Sequence, residues 1–171
     1  MKQQVNVNSK RWLDPRPMRG EVWRVFDDTP LNGRWYVSNY GRVKRLLGGK
    51  EQHFRLHLSN TGYYRIRVGE TQYAVHRLVA LCFIKPTSRH KLRVDHRNGI
   101  KTDNRARNLH WVSDKGNQAN PITKWDRDAR LGKKPETERP EPIRTQIDLS
   151  YNPIVRVSVN RKQPLNVYLP I

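Results

Sequence analysis

The chain has 171 residues, which is enough for one ordinary domain or a small domain with a tail and argues against two large domains. Its 34 Lys plus Arg residues against 15 Asp plus Glu give a formal net charge of +19. This balance favours an anionic partner such as nucleic acid, although a basic surface without a specific partner has the same composition. The single cysteine, Cys82, excludes an intramolecular disulfide and a zinc ribbon.

No stretch approaches the roughly 20 apolar residues of a membrane span, and the first residues lack the apolar core of a signal peptide. We therefore expect a cytoplasmic protein that does not contact membranes. Residues 1–20 are polar, basic and interrupted by Pro15 and Pro17, which predicts a flexible basic arm.

Residues 21–84 are predicted to form a β-rich module. Aromatic and β-branched runs at 22–26 and 34–38, separated by a Pro- and Gly-containing segment, indicate strand, loop and strand. Residues 52–75 alternate in polarity, which places two sets of apolar side chains on one face of a sheet. These sets are Phe54, Leu56 and Leu58 in one strand, and Tyr64, Ile66 and Val68 in the next.

The opposite face of these strands carries basic side chains, among them Arg55, Arg65 and Arg67. This face is either a DNA-contacting surface or a solvated surface, and the residues alone weigh the two readings equally. A third strand at 73–75 then leads into a helix over 76–84. The apolar residues of this helix recur at helical spacing and predict a buried stripe: Val75, Leu78, Val79, Cys82 and Phe83.

Residues 85–120 are predicted to fold as strand, loop, strand and helix. The first strand covers 92–95, Asn98 and Gly99 form a turn, the returning strand covers 108–112, and Ser113 caps a helix. The segment is also locally basic. We expect DNA contacts from its cationic side chains Arg93, Arg97, Lys101, Arg105 and Arg107.

Four side chains of this segment suit the hydrolysis of a phosphodiester. His96 can take a proton from water as general base, and its neighbour Asp95 can hold Mg²⁺, which prefers oxygen ligands. A carboxamide oxygen of Asn117 can be the second protein ligand. Asn108 can accept a hydrogen bond from the other imidazole nitrogen and so orient the base.

Three sequence blocks occur here in a characteristic order: Val94-Asp95-His96-Arg97-Asn98-Gly99, then Asp103-Asn104-Arg105, then Asn108-Leu109-His110-Trp111-Val112 followed by Asn117. Together they resemble the HNH homing endonucleases of phages, which share the ββα-metal fold. Residues 75–80 are similar to the helix that precedes the motif in that family. Residues 21–23 and 36–43 resemble the short N-terminal module often found with it.

The resemblance implies that Asp95 and Asn117 bind a divalent cation, Mg²⁺ or Mn²⁺ rather than zinc, that His96 is the general base, and that Asn108 orients it. Double-stranded DNA is the implied partner, bound by a monomer or a homodimer. An alternative for the second ligand is His110, which lies in the predicted returning strand. Asn104 is interpreted as a structural turn or cap residue.

Beyond residue 120 the chain is rich in proline and mixed charge up to residue 145, which predicts an extended linker that does not pack. Residues 146–171 contain two alternating runs around a polar turn and predict a C-terminal β-hairpin. The predicted fold class is therefore α+β: a small antiparallel sheet and a helix leading into a ββα-metal HNH nuclease motif, followed by linker and hairpin.

Two functions remain open at the level of sequence. The preferred one is a homing-type DNA endonuclease that nicks or cuts DNA with one divalent cation. The alternative is a non-catalytic DNA-binding protein in which the same fold is only a scaffold. A third, an RNA-binding structural protein, leaves the Asp95-His96 pair without a purpose.

Overall fold

The computed structural model describes residues 13–29, 33–86, 93–133 and 138–141. In these ranges the chain forms β1 (Trp23–Thr29), β2 (Gly33–Ser38), β3 (Val43–Leu47), β4 (Lys50–His53), β5 (His57–Leu58), β6 (Tyr64–Val68), β7 (Thr71–Ala74), α1 (Val75–Phe83), β8 (Arg93–His96), a 3-10 turn (Ala106–Asn108), β9 (Leu109–Val112), α2 (Asp114–Gln118) and α3 (Pro121–Arg130). The described strands form three antiparallel sheets of four, three and two strands. The α+β class predicted from the sequence is confirmed.

The four-stranded sheet has the order β1-β2-β3-β4, so each strand pairs with its neighbour in the chain. Its inner face is apolar, because Phe26, Trp35, Val37 and Val43 are buried in the common core. The predicted strand, loop and strand at its start are confirmed. Tight turns and short connections are typical of antiparallel neighbours that follow one another in sequence.

The three-stranded sheet, β5-β6-β7, confirms one of the two predicted apolar sets. Tyr64, Ile66 and Val68 are buried on its inner face. The other set holds for two of its three residues, because Leu56 is buried and Phe54 packs against the core. Leu58 is instead 50% exposed, and β5 is only two residues long. The prediction of one continuous strand failed because the chain leaves the first sheet after His53 and enters the second at His57, so the pleat is interrupted between them.

Helix α1 lies at the centre of the molecule and contacts strands of all three sheets. The predicted stripe is buried, and so is nearly every other residue of the helix, including Cys82. A helix covered on all sides loses the usual polar face, which explains its run of apolar residues. Across the described ranges, no helix has the length and apolar character needed to cross a membrane.

Strands β8 and β9 pair antiparallel, and α2 follows directly. The register places Asp95 opposite His110 and His96 opposite Leu109. Ser113 caps α2, because its Oγ accepts a hydrogen bond of 3.1 Å from the backbone N–H of Gly116. The predicted order of strand, loop, strand and helix is confirmed for this segment.

The predicted extended linker at 121–145 is wrong for its first ten residues, which form α3. Asn120 caps this helix, since its Oδ1 accepts hydrogen bonds from the backbone N–H groups of Ile122 and Thr123, and Pro121 occupies the first turn. Proline in the first turn starts helices as well as breaking them. Ile122 is buried against Gly99, so the helix packs. The predicted hairpin at 146–171 lies outside the described residues.

The end of the predicted flexible arm is also packed. Arg42 Nη1 donates a hydrogen bond of 3.2 Å to the carbonyl of Arg16, and Tyr40 Oη donates one of 2.9 Å to the carbonyl of Arg19. Asn39 Nδ2 donates one of 2.9 Å to the carbonyl of Gly20. Residues 13–20 therefore belong to the folded unit, and residues 1–12 lie outside the described ranges.

Candidate active site

The carboxylate of Asp95 lies at the end of β8 and is held on both oxygens. Its Oδ2 is 3.2 Å from His110 Nε2 on β9 and accepts a hydrogen bond of 2.6 Å from Asn120 Nδ2. Its Oδ1 accepts one of 2.8 Å from the backbone N–H of His96. The antiparallel register brings Asp95 and His110 together, and the cap of α3 supplies Asn120.

This environment changes the pKa of Asp95 in two directions. Burial raises it, while the hydrogen bonds from His110 and Asn120, the charge of His110 and the backbone N–H of His96 lower it. The lowering contributions outweigh burial, so the pKa lies below the ordinary value for aspartate. The carboxylate is therefore ionised near neutral pH, as a cation ligand must be.

The pair of Asp95 and His110 fits a divalent cation. Two ligands at neighbouring positions of one cation, each roughly 2.1 Å from it, stand roughly 3 Å apart, and the 3.2 Å between Asp95 Oδ2 and His110 Nε2 is close to that spacing. A bound cation would take the place of the imidazole proton between these atoms. Among the described residues, no group of three or more His, Cys, Asp or Glu side chains forms a metal cluster.

Asn117 and Asp95 line two different clefts. Asn117 shares its cleft with His76 and Arg93, whereas Asp95 shares the other with His110 and Asn120. The structure places the alternative ligand His110 3.2 Å from Asp95. Asn117 as the second ligand stays a prediction. Asn120 is not among the site residues predicted from the sequence, although the Asn-Pro start of α3 was an available signal.

His96 is buried, with 3% of its surface exposed, and its Nε2 is 3.1 Å from Asn104 Oδ1. Because a carboxamide oxygen only accepts, Nε2 carries the proton and the lone pair of the neutral ring lies on Nδ1. Burial lowers the pKa of His96 below its usual value, despite the opposing effects of Asn104, Asp95 and Asp103. The ring is therefore neutral at pH 7 and has one basic nitrogen.

Asn108 has other partners than the one expected from the sequence. Its Oδ1 accepts a hydrogen bond of 3.1 Å from the backbone N–H of Asn98, and its Nδ2 donates to Asn98 Oδ1 and to the carbonyl of Asp103. These bonds fix the loop that follows His96. The residue in contact with the imidazole is Asn104, interpreted above as structural. Two asparagines in one loop cannot be distinguished by residue type alone, since either carboxamide can accept from the ring.

The ring of His96 packs in a cluster with two other rings. The His76 and His96 ring centroids are 5.2 Å apart, and Tyr63 stands 4.7 Å from His76 and 5.9 Å from His96. Burial, and then the nearby charge of His96, lower the pKa of His76 to about 3, so this ring is neutral as well. The cluster joins the residue preceding β6 to α1 and β8 around the predicted base.

The four-stranded sheet contacts the site through the turn between β2 and β3. This turn places Asn39 and Gly41 against the loop that carries Asn104. The carbonyl of Asn39 accepts a hydrogen bond of 2.8 Å from the backbone N–H of Ala106. Gly41 has φ +83°, and a Cβ there would stand 2.8 Å from the Cβ of Asn104. The position of Asn104 therefore depends on a glycine in the N-terminal module.

Replacing Gly41 by alanine is expected to destabilise the fold by about 2–4 kcal/mol, through a left-handed backbone and an overpacked contact. It should also slow any cleavage, because Asn104, which contacts His96, must shift. Gly48 is the matched control, since it has φ +55° and no atom within 4 Å of its Cβ position. Urea unfolding and cleavage rates are the measurements. Equal losses of unfolding free energy and of cleavage rate in Gly41→Ala and Gly48→Ala would contradict the dependence of Asn104 on Gly41.

The predicted DNA-contacting side chains differ in their surroundings. Arg55, Arg67 and Arg107 are exposed. Others have polar partners: Arg65 with Gln72, Arg93 with Asp114, Lys101 with the carbonyl of Thr61, and Arg105 with both carboxylate oxygens of Asp103. Arg97 is half-buried beside Asp95 in their common cleft. Arg105 is thus engaged within the site loop, while the three exposed arginines face solvent.

No family model matches the chain. It is 38% identical over 104 residues to an uncharacterized HNH endonuclease of Acanthamoeba polyphaga mimivirus, covering 56% of this chain and 24% of that protein. It is 36% identical over 97 residues to the DNA endonuclease I-HmuI of Bacillus phage SP01, covering 54% of this chain and 53% of that protein.

A solved structure titled as DNA binding and cleavage by the HNH homing endonuclease I-HmuI gives a TM-score of 0.44 at 29% identity, covering 58% of this chain and 60% of that one. The chain spans about half the length of the phage relative and about a quarter of the viral one. Over slightly more than half of its own length, it is a sequence relative of proteins named as HNH endonucleases.

Proposed function

We propose that this protein is a divalent-metal DNA endonuclease of the HNH type that acts on double-stranded DNA. The observation that carries the proposal is the end of β8, where an ionised Asp95 facing His110 adjoins a neutral His96. This pair lies in a strand, loop, strand and helix unit, within a chain of net charge +19. Sequence identity to proteins named as HNH endonucleases supports the same reaction.

In this proposal each side chain has one task. Asp95 and His110 hold the cation, which when bound stabilises negative charge on the phosphate undergoing attack. His96 accepts a proton from the attacking water at Nδ1, and Asn104 keeps the proton of the ring on Nε2. Asn120 fixes the orientation of the Asp95 carboxylate. The exposed arginines hold the DNA backbone.

We further propose a homing-type enzyme with a long, loosely specified target. One such site per chain suits a nick by a monomer, whereas a homodimer places two sites on the duplex and suits a double-strand break. The carboxylate of Asp95 suits both Mg²⁺ and Mn²⁺, and the imidazole of His110 makes Mn²⁺ the better match of the two. Supercoiled plasmid distinguishes the two products, because a nick gives open circles and a double-strand break gives linear DNA.

One observation favours the second candidate, a DNA-binding protein without catalysis. His96 is 3% exposed, and a general base must reach the water it activates. The nuclease therefore requires that water reaches Nδ1 of His96 in the DNA complex. Plasmid incubated with the protein in Mg²⁺ or Mn²⁺ should be cut and in EDTA should stay intact. DNA that is retained but uncut in both metals would establish the second candidate.

Substitution distinguishes the two candidates for the second metal ligand, His110 and Asn117. His110→Ala is expected to raise the Mn²⁺ concentration for half-maximal cleavage by about 10- to 100-fold, as the loss of a group at a metal site does. Asn117→Ala should change it less than threefold, because Asn117 lines the other cleft. Mn²⁺ binding measured by electron paramagnetic resonance provides a readout without activity. The reverse order of the two variants would assign the second ligand to Asn117.

A further inference from the structure

A basic cleft opens at the N-terminus of α1, between the three-stranded sheet and the β8–α2 segment. Its volume is about 550 Å³, and Arg65, Ala74, His76, Arg77 and Arg93 are among its lining residues. It is separate from the cleft that contains Asp95 and His110. It nevertheless adjoins the proposed base, because His76 contributes one ring to the cluster around His96.

Several polar groups in this cleft lack partners within the described part of the chain. His76 is 8% exposed, and its Nδ1 is buried without a hydrogen bond. The Nε of Arg65 is likewise buried and unpaired. Buried donors and acceptors without partners cost free energy, so such groups mark places where a ligand or water completes the bonding.

Arg77 contributes a further guanidinium to the lining of the cleft. Its guanidinium is half-buried and makes no hydrogen bond or ion pair with a described side chain or carbonyl. Burial, and then the charge of Arg93, lower the pKa of Arg77. Both effects disfavour the positive charge, and an anion placed beside the guanidinium would remove the penalty.

The helix terminus at this cleft favours an anion too. Helix α1 begins after Ala74 with no side-chain cap and no acidic residue in its first turn. The N-terminus of a helix carries partial positive charge that favours phosphate. Asp114 also lines the cleft, but it is paired with Arg93 and leaves Arg65 and Arg77 uncompensated by a carboxylate of the lining.

We propose that this cleft binds a backbone phosphate of the DNA strand, with Arg77 and the uncapped start of α1 providing the charge and His76 Nδ1 a hydrogen bond. A phosphate held there fixes the strand beside His96, so Arg77 and His76 are positioning residues for the reaction. The identity of the ligand as DNA rests on the proposed function. The anion site itself rests only on the unpaired groups described above.

Salt dependence of DNA binding tests the assignment directly. Losing one phosphate contact lowers the slope of log affinity against log salt by about 0.9 for duplex DNA, and a merely structural change does not. Arg77→Gln is therefore expected to lose about one unit of slope and about tenfold in affinity at low salt. Arg130→Gln, an exposed arginine of α3 outside the cleft, is the matched control and should keep the parent slope.

A second measurement uses inorganic phosphate and the parent protein. Phosphate should shift the imidazole NMR signals of His76 saturably, and Arg77→Lys should retain more of this response than Arg77→Gln. If the salt slope of DNA affinity is unchanged in Arg77→Gln, the assignment of the ligand as DNA is wrong. If phosphate does not shift the His76 imidazole signals, the anion site is wrong. These outcomes are independent of the nuclease proposal. If the parent protein never cuts DNA, yet Arg77→Gln lowers the slope of log affinity against log salt, the phosphate site is supported and the endonuclease proposal is contradicted.

Discussion

His96→Ala is expected to slow DNA cleavage by about 10²- to 10⁴-fold, the usual contribution of a general base. The imidazole is neutral and presents a single basic nitrogen, Nδ1, because Asn104 occupies Nε2. Alanine removes the proton acceptor and leaves the groups proposed to hold the cation in place. Binding affinity for DNA should therefore change far less than the rate. Single-turnover cleavage at saturating protein separates the two quantities.

Asn104→Ala is the comparison for this variant. It removes the hydrogen bond to the ring but keeps the base, so we expect a loss of about 10- to 100-fold, in the range of other orienting groups. Asn108→Ala should act through the loop of residues 98–103 and reduce stability as well as rate. If His96→Ala cuts as fast as the parent protein, the assigned base is wrong.

Arg42→Ala is expected to lower the free energy of unfolding by about 3–5 kcal/mol, as breaking a buried ion pair from one side does. Arg42 is 2% exposed, and its Nη1 lies 3.1 Å from Glu21 Oε2. The same guanidinium donates to the carbonyls of Asp14 and Arg16 and stacks on the Trp23 ring at 5.4 Å. Its removal leaves the buried Glu21 carboxylate without its cation.

The control for this stability prediction is an ion pair at the surface. Arg127 and Asp128 lie 3.6 Å apart at an exposed position of α3, and such pairs contribute within about 1 kcal/mol. In urea unfolding, Arg42→Ala should therefore lower the free energy of unfolding several times more than Arg127→Ala does. Glu21→Gln combined with Arg42→Met should recover part of the loss, because no unpaired charge remains buried. Equal effects of the two arginine variants would show that the Arg42 cluster does not stabilise the fold.

Much of the fold follows from local patterns in the sequence. Alternation placed Tyr64, Ile66 and Val68 on a buried face, and helical spacing predicted the buried α1, because both periods follow directly from backbone geometry. Leu58 was misassigned since alternation cannot show where a chain changes sheets. The start of α3 was missed because Asn120 and Pro121 are typical both of a turn and of a helix start.

The candidate site was predictable only as far as chain neighbours determine it. Asp95 and His96 are adjacent in sequence, and their position at a strand end follows from the turn at Asn98 and Gly99. The pairing of Asp95 with His110 depends on the register of two strands, and the contact of Asn104 with His96 depends on the path of the intervening loop. Residue types and spacing determine neither the strand register nor the path of the loop.

Single-turnover cleavage of an end-labelled DNA duplex shows whether the end of β8 is a metal-dependent hydrolytic centre, as we propose. The parent protein should cut in Mg²⁺ or Mn²⁺, leave 5′-phosphate and 3′-hydroxyl ends, and be inactive in EDTA. DNA that binds the protein in a salt-dependent way but stays intact in both metals would contradict this proposal.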